Sequence, residues 1–205
     1  MILLYDLFLN HKTPKRSMHK GRVIFGNLKH RVIELPNIST TRPTSDAVKE
    51  AMFNCLIHRF NMDFSQWAVI DAFAGSGALG IEALSLGSPF AVFFEQNHFA
   101  YNIVQQNVVN LCLKNKCLIL RADVTKYRIN KLYSKFDRNV LVILDPPYQK
   151  TDVLKNQIIK MTEMFKEKNL IILAETDSNA LLNDLKPNYT LSPSGDKKVF
   201  FFINN

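Results

Sequence analysis

The residues best suited to chemistry stand where short apolar runs end. The plainest case is Leu141-Val142-Ile143-Leu144-Asp145-Pro146-Pro147-Tyr148. Two successive prolines stop a strand, because neither can donate to a sheet ladder. They also fix the backbone, so nearby carbonyls point where the turn dictates. A carboxylate beside those carbonyls makes a cluster of acceptors able to grip an NH2 group, and Tyr148 supplies a flat face for stacking a planar base.

Three other run ends carry groups of a compatible kind. Asp71-Ala72-Phe73-Ala74-Gly75-Ser76-Gly77-Ala78-Leu79-Gly80 follows one apolar run and opens a helical pattern, so its glycines allow a tight turn and close approach of a ligand to bare backbone. Glu95 closes the next run, twenty residues after Gly75, where a carboxylate can accept from both hydroxyls of a ribose. Asp123 ends Leu118-Ile119-Leu120-Arg121-Ala122-Asp123, placed to accept from an adenine amino group. The glycine loop and Glu95 alone fit either a dinucleotide or S-adenosylmethionine. Asp71 lies four residues before Gly75 and would add negative charge near a pyrophosphate, whereas it suits a ligand bearing sulfonium and ammonium cations. A dinucleotide would also leave the Asp145–Tyr148 run without a task. The residues therefore favour methyl transfer to an amino nitrogen.

Such groups need a scaffold that gathers strand ends. From residue 67 onward, continuous apolar runs (67–73, 90–95, 117–122, 140–144 and 170–174) alternate with helical stretches (78–86, 99–113 and 153–165). That alternation predicts a doubly wound, Rossmann-like α/β sheet covered on both faces, with ligands held at the carboxyl ends of its strands. Lys198-Val199-Phe200-Phe201-Phe202-Ile203 predicts a last, antiparallel strand in a sheet of about seven, after the breaker-rich Ser192-Pro193-Ser194-Gly195. Upstream, Val23-Ile24-Phe25 and Arg31-Val32-Ile33 predict a hairpin turning at Gly26-Asn27. Pro43-Thr44-Ser45-Asp46 opens a helix whose Val48, Ala51, Met52, Cys55, Leu56 and Phe60 form one apolar stripe. The expected organisation is a basic extension and hairpin over 1–40 and a catalytic domain over 41–205.

Charge is distributed unevenly. The chain of 205 residues carries a formal +8, and residues 1–60 hold ten Lys/Arg against four Asp/Glu while 61–205 hold sixteen against fourteen. Seven basic and no acidic residues lie between His11 and Ile33. A polyanionic partner is the functional reading of that stretch; ordinary solvated surface is the bland one. Cys55, Cys112 and Cys117 show neither a CxxC pair nor a companion histidine cluster, so no disulfide framework or metal site is expected. The apolar start, 2–9, is too short to span a bilayer and lacks the order of a signal peptide, which predicts a cytoplasmic protein.

Taken in order, Phe73-Ala74-Gly75-Ser76-Gly77, Glu95, Asp123 and Asp145-Pro146-Pro147-Tyr148 resemble the class I amino-methyltransferases. Arg42-Pro43-Thr44-Ser45-Asp46-Ala47-Val48-Lys49-Glu50 with Phe53-Asn54, Asp71 through Gly80, and Glu82-Ala83-Leu84-Ser85 resemble one family within them, the bacterial 16S rRNA guanine-N2 methyltransferases of the RsmD type. The likeness runs from about Lys20 to the last strand; Asn27 and His30 stand where the family pattern has glycines. The resemblance implies S-adenosyl-L-methionine held by Asp71, Phe73, Gly75, Gly77, Glu95, Asp123 and Val124. It implies catalysis by Asp145, Pro146, Pro147 and Tyr148, and contact with RNA through Arg22, Lys29, Arg31, Arg42 and Thr44. The implied partner is 16S rRNA or the assembling small ribosomal subunit, met by a monomer without metal or membrane.

Overall fold

The computed structural model describes residues 19–36, 44–136, 139–147, 151–176, 182–193, 195 and 197–204. Arg42 and Tyr148 lie outside them.

A seven-stranded sheet forms the centre. Its strands are β3 (Trp67–Asp71), β4 (Ala91–Phe94), β5 (Cys117–Leu120), β6 (Asn139–Leu144), β7 (Asn169–Thr176), β8 (Tyr189–Leu191) and β9 (Lys198–Asn204), following a small hairpin of β1 (His19–Arg22) and β2 (Val32–Leu35). The order across the sheet is β5-β4-β3-β6-β7-β9-β8. β3 through β7 are mutually parallel, and β9 runs against both of its neighbours. The expected doubly wound sheet is present. β8 was not foreseen, since three residues are too few to show a period. The order reverses between β3 and β6, where Asp71 pairs with Ile143, so the carboxyl ends of those strands open the crevice where such sheets bind ligands.

Both faces are dry. β6 is fully buried from Val140 to Leu144, and its alternate residues divide between two cores. Leu141 and Ile143 pack with Met52, Phe53, Ile81 and Val104, from the helices α1 (Asp46–Asn54), α2 (Ala78–Ser85) and α3 (His98–Asn110). Val140, Val142 and Leu144 pack with Leu154, Ile158 and Met161 of α4 (Thr151–Met164) and with Phe165. Each buried Leu, Ile or Phe contributes about 1.5–3 kcal/mol, so a continuous apolar run is what a two-faced strand demands. Among the described residues, no helix is long and apolar enough to cross a membrane.

The hairpin shares this core: Val23 and Ile33 are each 1% exposed within the cluster that holds α1 and α2. Its first strand ends at Arg22, short of the expected 23–25. The reason is that the Ile24 and Phe25 amides donate to Glu82 Oε1 and Oε2 of α2, at 2.8 and 3.1 Å, instead of to a partner strand. Glu82 also meets Lys49 Nζ at 3.3 Å, and Lys49 donates to the Arg22 carbonyl at 2.8 Å. Gly26, at φ +71°, presses on the Ser85 backbone so closely that a Cβ there would overlap it. His30 adopts φ +70°, the left-handed region a glycine enters most easily. Asn107 of α3 fastens β2, accepting from the Glu34 amide and donating to its carbonyl.

Candidate active site

A cavity of about 300 Å³ opens at the strand ends, bounded by the hairpin, the start of α1, the β3–α2 loop and the ends of β4, β5 and β6. Of the residues singled out from sequence, Thr44, Phe73, Gly75, Glu95, Asp123, Val124, Asp145, Pro146 and Pro147 line it. The fold thus gathers residues separated by a hundred positions onto one wall system.

The β3–α2 loop is held from beneath. Asp71, 2% exposed, accepts the amide of Gly80 at 2.9 Å, satisfying one of the free donors at the start of α2. Burial pushes its carboxyl up to about 7, with Glu95 adding to the rise while the amides of Gly80 and Phe73 oppose it. Gly77 caps the helix at φ +80°, and a Cβ there would crowd Val104, Ile81 and Phe93. Neither Asp71 nor Gly77 lines the cavity. Both were expected to touch a cofactor; here they brace the loop that lines the cavity, through helix capping and close helix–sheet packing. Gly75 differs: at φ +57°, a Cβ would meet nothing within 4 Å. The loop's bare backbone therefore faces open space, leaving room for a ligand to lie against it.

Glu95 fixes the far side of this loop. Its Oε2 accepts the Gly75 amide at 2.8 Å and its Oε1 the Asn97 amide at 2.6 Å. Burial raises its carboxyl above the ordinary glutamate value, against the pull of those amides. Each oxygen keeps a lone pair for further donors such as sugar hydroxyls. Asn97 caps α3 by accepting from Phe99 and Ala100. Asp123 closes a local turn, its Oδ1 accepting from the amide and hydroxyl of Thr125 at 3.0 and 2.7 Å.

The β6 end is arranged otherwise. Thr44 Oγ1 donates to Asp145 Oδ2 at 2.8 Å and lies 3.4 Å from Glu175 Oε2. Glu175, 1% exposed, accepts from Lys197 Nζ at 2.6 Å. Asp145 is raised to about 8, chiefly by burial and then by the Glu175 carboxylate, while the Thr44 hydroxyl and Lys197 pull the other way. Thr44, expected to contact RNA, lines the cavity, while Ser45 takes the capping position and accepts from the Val48 amide. Glu175 and Lys197 went unrecognised, although Glu175 ends an apolar run just as Glu95 does. Lys197 reaches it because β9 is antiparallel to β7, pairing Lys198 with Thr176.

Of the basic residues, Arg22 and Arg31 are partnered at the surface, the first to Asp46 at 3.0 Å and the second to the Asn110 carbonyl at 3.2 Å. Lys29 is exposed. The cavity lining holds four carboxylates (Asp46, Glu95, Asp123 and Asp145) against two ammonium groups, Lys49 and Lys197. A lining of that sign suits a ligand with cationic centres better than one with a pyrophosphate.

A family model described as "Conserved hypothetical protein 95" matches residues 21–202. The chain is 31% identical, over 164 residues, to "Ribosomal RNA small subunit methyltransferase D" of Haemophilus influenzae, covering 77% of this chain and 79% of that protein. It is 29% identical to the protein of the same name from Buchnera aphidicola subsp. Acyrthosiphon pisum, covering 79% and 81%. In fold it is similar to an RNA methyltransferase from Salinibacter ruber solved in complex with S-adenosyl-L-homocysteine, with a TM-score of 0.55, 15% identity and coverage of 79% and 93%.

Proposed function

The chain belongs to the RsmD-type methyltransferase family, and on that premise we propose that it methylates the exocyclic N2 of a guanine in small-subunit (16S) rRNA. The cofactor is S-adenosyl-L-methionine. The observation that carries the proposal is the placement of Asp145 in the same cavity as the Gly75 loop and Glu95. One cavity then serves an amine acceptor and a nucleoside-type ligand together.

In this reading Glu95 receives the ribose hydroxyls, Asp123 the adenine end, and the open backbone at Gly75 the body of the cofactor, with Phe73 and Val124 completing its walls. When bound, S-adenosylmethionine supplies an electrophilic methyl group on a cationic sulfur. The remaining work belongs to the β6 turn. An exocyclic amine is a poor nucleophile, because its lone pair is delocalised into the base. The Asp145 carboxylate and the Pro146 carbonyl accept its two hydrogens, favouring a tetrahedral nitrogen and aiming its lone pair along the line of attack. Pro146 and Pro147 keep those acceptors from relaxing away. Acceleration on this account comes from positioning and preorganised charge, without a covalent intermediate. Tyr148 stacks on the base, which an RNA loop surrenders at lower cost than a duplex.

The basic residues of 1–40, with Arg22, Lys29, Arg31 and Arg42, serve as the electrostatic face toward RNA, while 41–205 carries catalysis in a monomer. The test is transfer of labelled methyl groups to unmodified small ribosomal subunits, naked rRNA and duplex DNA in parallel, followed by nucleoside analysis. Label in N2-methylguanosine supports the proposal. Label in another nucleoside, or transfer to duplex DNA alone, overturns it.

A further inference from the structure

The contacts around Asp145 do not balance in hydrogens. Thr44 Oγ1 stands between Asp145 Oδ2 at 2.8 Å and Glu175 Oε2 at 3.4 Å, and one hydroxyl carries one hydrogen. A second proton on one of the two carboxyl groups gives a full bond on each side, the hydroxyl then accepting from one and donating to the other. Charge counting leads to the same place. Glu175 is matched by Lys197, with Nζ and Oε1 2.6 Å apart, which leaves Asp145 to share that one cation in a partly buried site. Asp71 adds a further acidic group from the β3 side. Elsewhere in the cavity, Asp46 is engaged by Arg22 and Lys49, and Asp123 by Lys126. A low-dielectric site with surplus carboxylate takes up a proton, and burial together with the Glu175 carboxylate makes Asp145 the group that holds it.

We propose that Asp145, Thr44 and Glu175 hold one shared proton that leaves when the cationic cofactor binds and is replaced from the methylated amine. The inference rests on the assignment of this cavity to S-adenosylmethionine-dependent amine methylation. Asp145 ionises when a sulfonium charge enters the cavity, and its proton goes to solvent. The carboxylate is then free to accept the N–H bonds of the target amine. Once the methyl group has moved, the sulfur is neutral and the methylated nitrogen carries an extra proton. That N–H bond breaks, its electron pair returns to nitrogen, and Asp145 regains the O–H bond it began with. Over one turnover a single proton is released, and it is released at cofactor binding. Glu175 is the positioning residue: it never meets the substrate, but its charge keeps the proton affinity of Asp145 high.

Calorimetry on the full chain tests this without any methyl transfer. S-adenosylmethionine and, separately, S-adenosylhomocysteine are titrated at pH 7.5 in phosphate, HEPES and Tris, whose ionisation enthalpies differ. The wild type is expected to release about 0.7 proton with the cationic ligand and under about 0.2 with the neutral one. Asp145→Asn abolishes the difference, and Glu175→Gln at least halves it while homocysteine-form binding, a check on folding, persists. Thr44→Val removes a hydroxyl that stabilises the carboxylate, so release continues with its midpoint moved to higher pH. Equal release with both ligands, or release undiminished in Asp145→Asn, overturns the proposal and leaves the cofactor assignment standing. Failure of both ligands to bind removes that assignment and the proposal together.

Discussion

Glu95 and Asp145 are carboxylates of one cavity, yet their surroundings make different chemical tools of them. Glu95 is gripped by two backbone amides, from Gly75 and Asn97. Backbone donors cannot rotate away or change protonation, so Glu95 is a fixed acceptor suited to recognition. Asp145 is held by a rotatable hydroxyl and crowded by Glu175, which leaves its proton affinity open to the charge of whatever enters the cavity. Partners of a carboxylate, together with its burial, decide whether it binds or takes part in proton transfer.

The contrast can be broken most sharply at Asp145. Asp145→Ala should lower kcat by about 10³-fold, the scale of losing a preorganised acceptor, while S-adenosylhomocysteine affinity by calorimetry stays near wild type. Wild-type turnover in that variant would remove the acceptor role. Glu95→Ala should act the other way round, weakening S-adenosylmethionine binding by about 10- to 100-fold through lost charge-assisted bonds, with kcat at saturating cofactor far less changed.

The pH dependence sharpens the comparison further. If Asp145 works as a carboxylate, as proposed, its rise to about 8 in the free protein means that kcat/KM for the cofactor should climb about tenfold per pH unit below that value and level above it. Glu175→Gln should move this limb to lower pH and Glu95→Gln should leave it in place; rate measurements across pH 6–9 decide. The smallest effect is on stability. Asp145 and Asp71 bind protons in the folded chain up to about 8 and 7, whereas unfolded aspartates lose them near the ordinary value of 3.8. Between those limits the unfolded state holds fewer protons, so rising pH lowers stability. Thermal unfolding without cofactor should show a Tm a few degrees lower at pH 8.5 than at pH 6. Asp145→Asn should flatten that slope, and a flat wild-type profile would contradict the shifts.

Much of this was legible in the chain. The apolar runs marked the strands within a residue or two, since a strand buried on both faces leaves little freedom of composition. The same reading found Glu95, Asp123 and Asp145, because a polar group after such a run must sit at the sheet's edge. It could not assign the contacts of Asp71, Gly77 and Thr44, whose types fit both contact with a ligand and support of a loop. Only the neighbours separate those roles: Gly80 above Asp71, Phe93 behind Gly77, Asp145 facing Thr44.

The hairpin shows the same limit. Its basic residues and turn glycine were visible, but Glu82 and Ser85, marked by the family resemblance, had no assigned task until the fold set them beneath the Ile24, Phe25 and Leu28 amides. The sequence by itself determined the sheet, the strand ends that bear chemistry and the acceptor cluster at Asp145-Pro146-Pro147, because these follow from local periodicity and from proline's missing donor. The tertiary structure alone decided that Thr44, Asp145, Glu175 and Lys197 share a single site, since the register of β9 on β7 and the placement of Thr44 ahead of α1 bring together groups that no local pattern links.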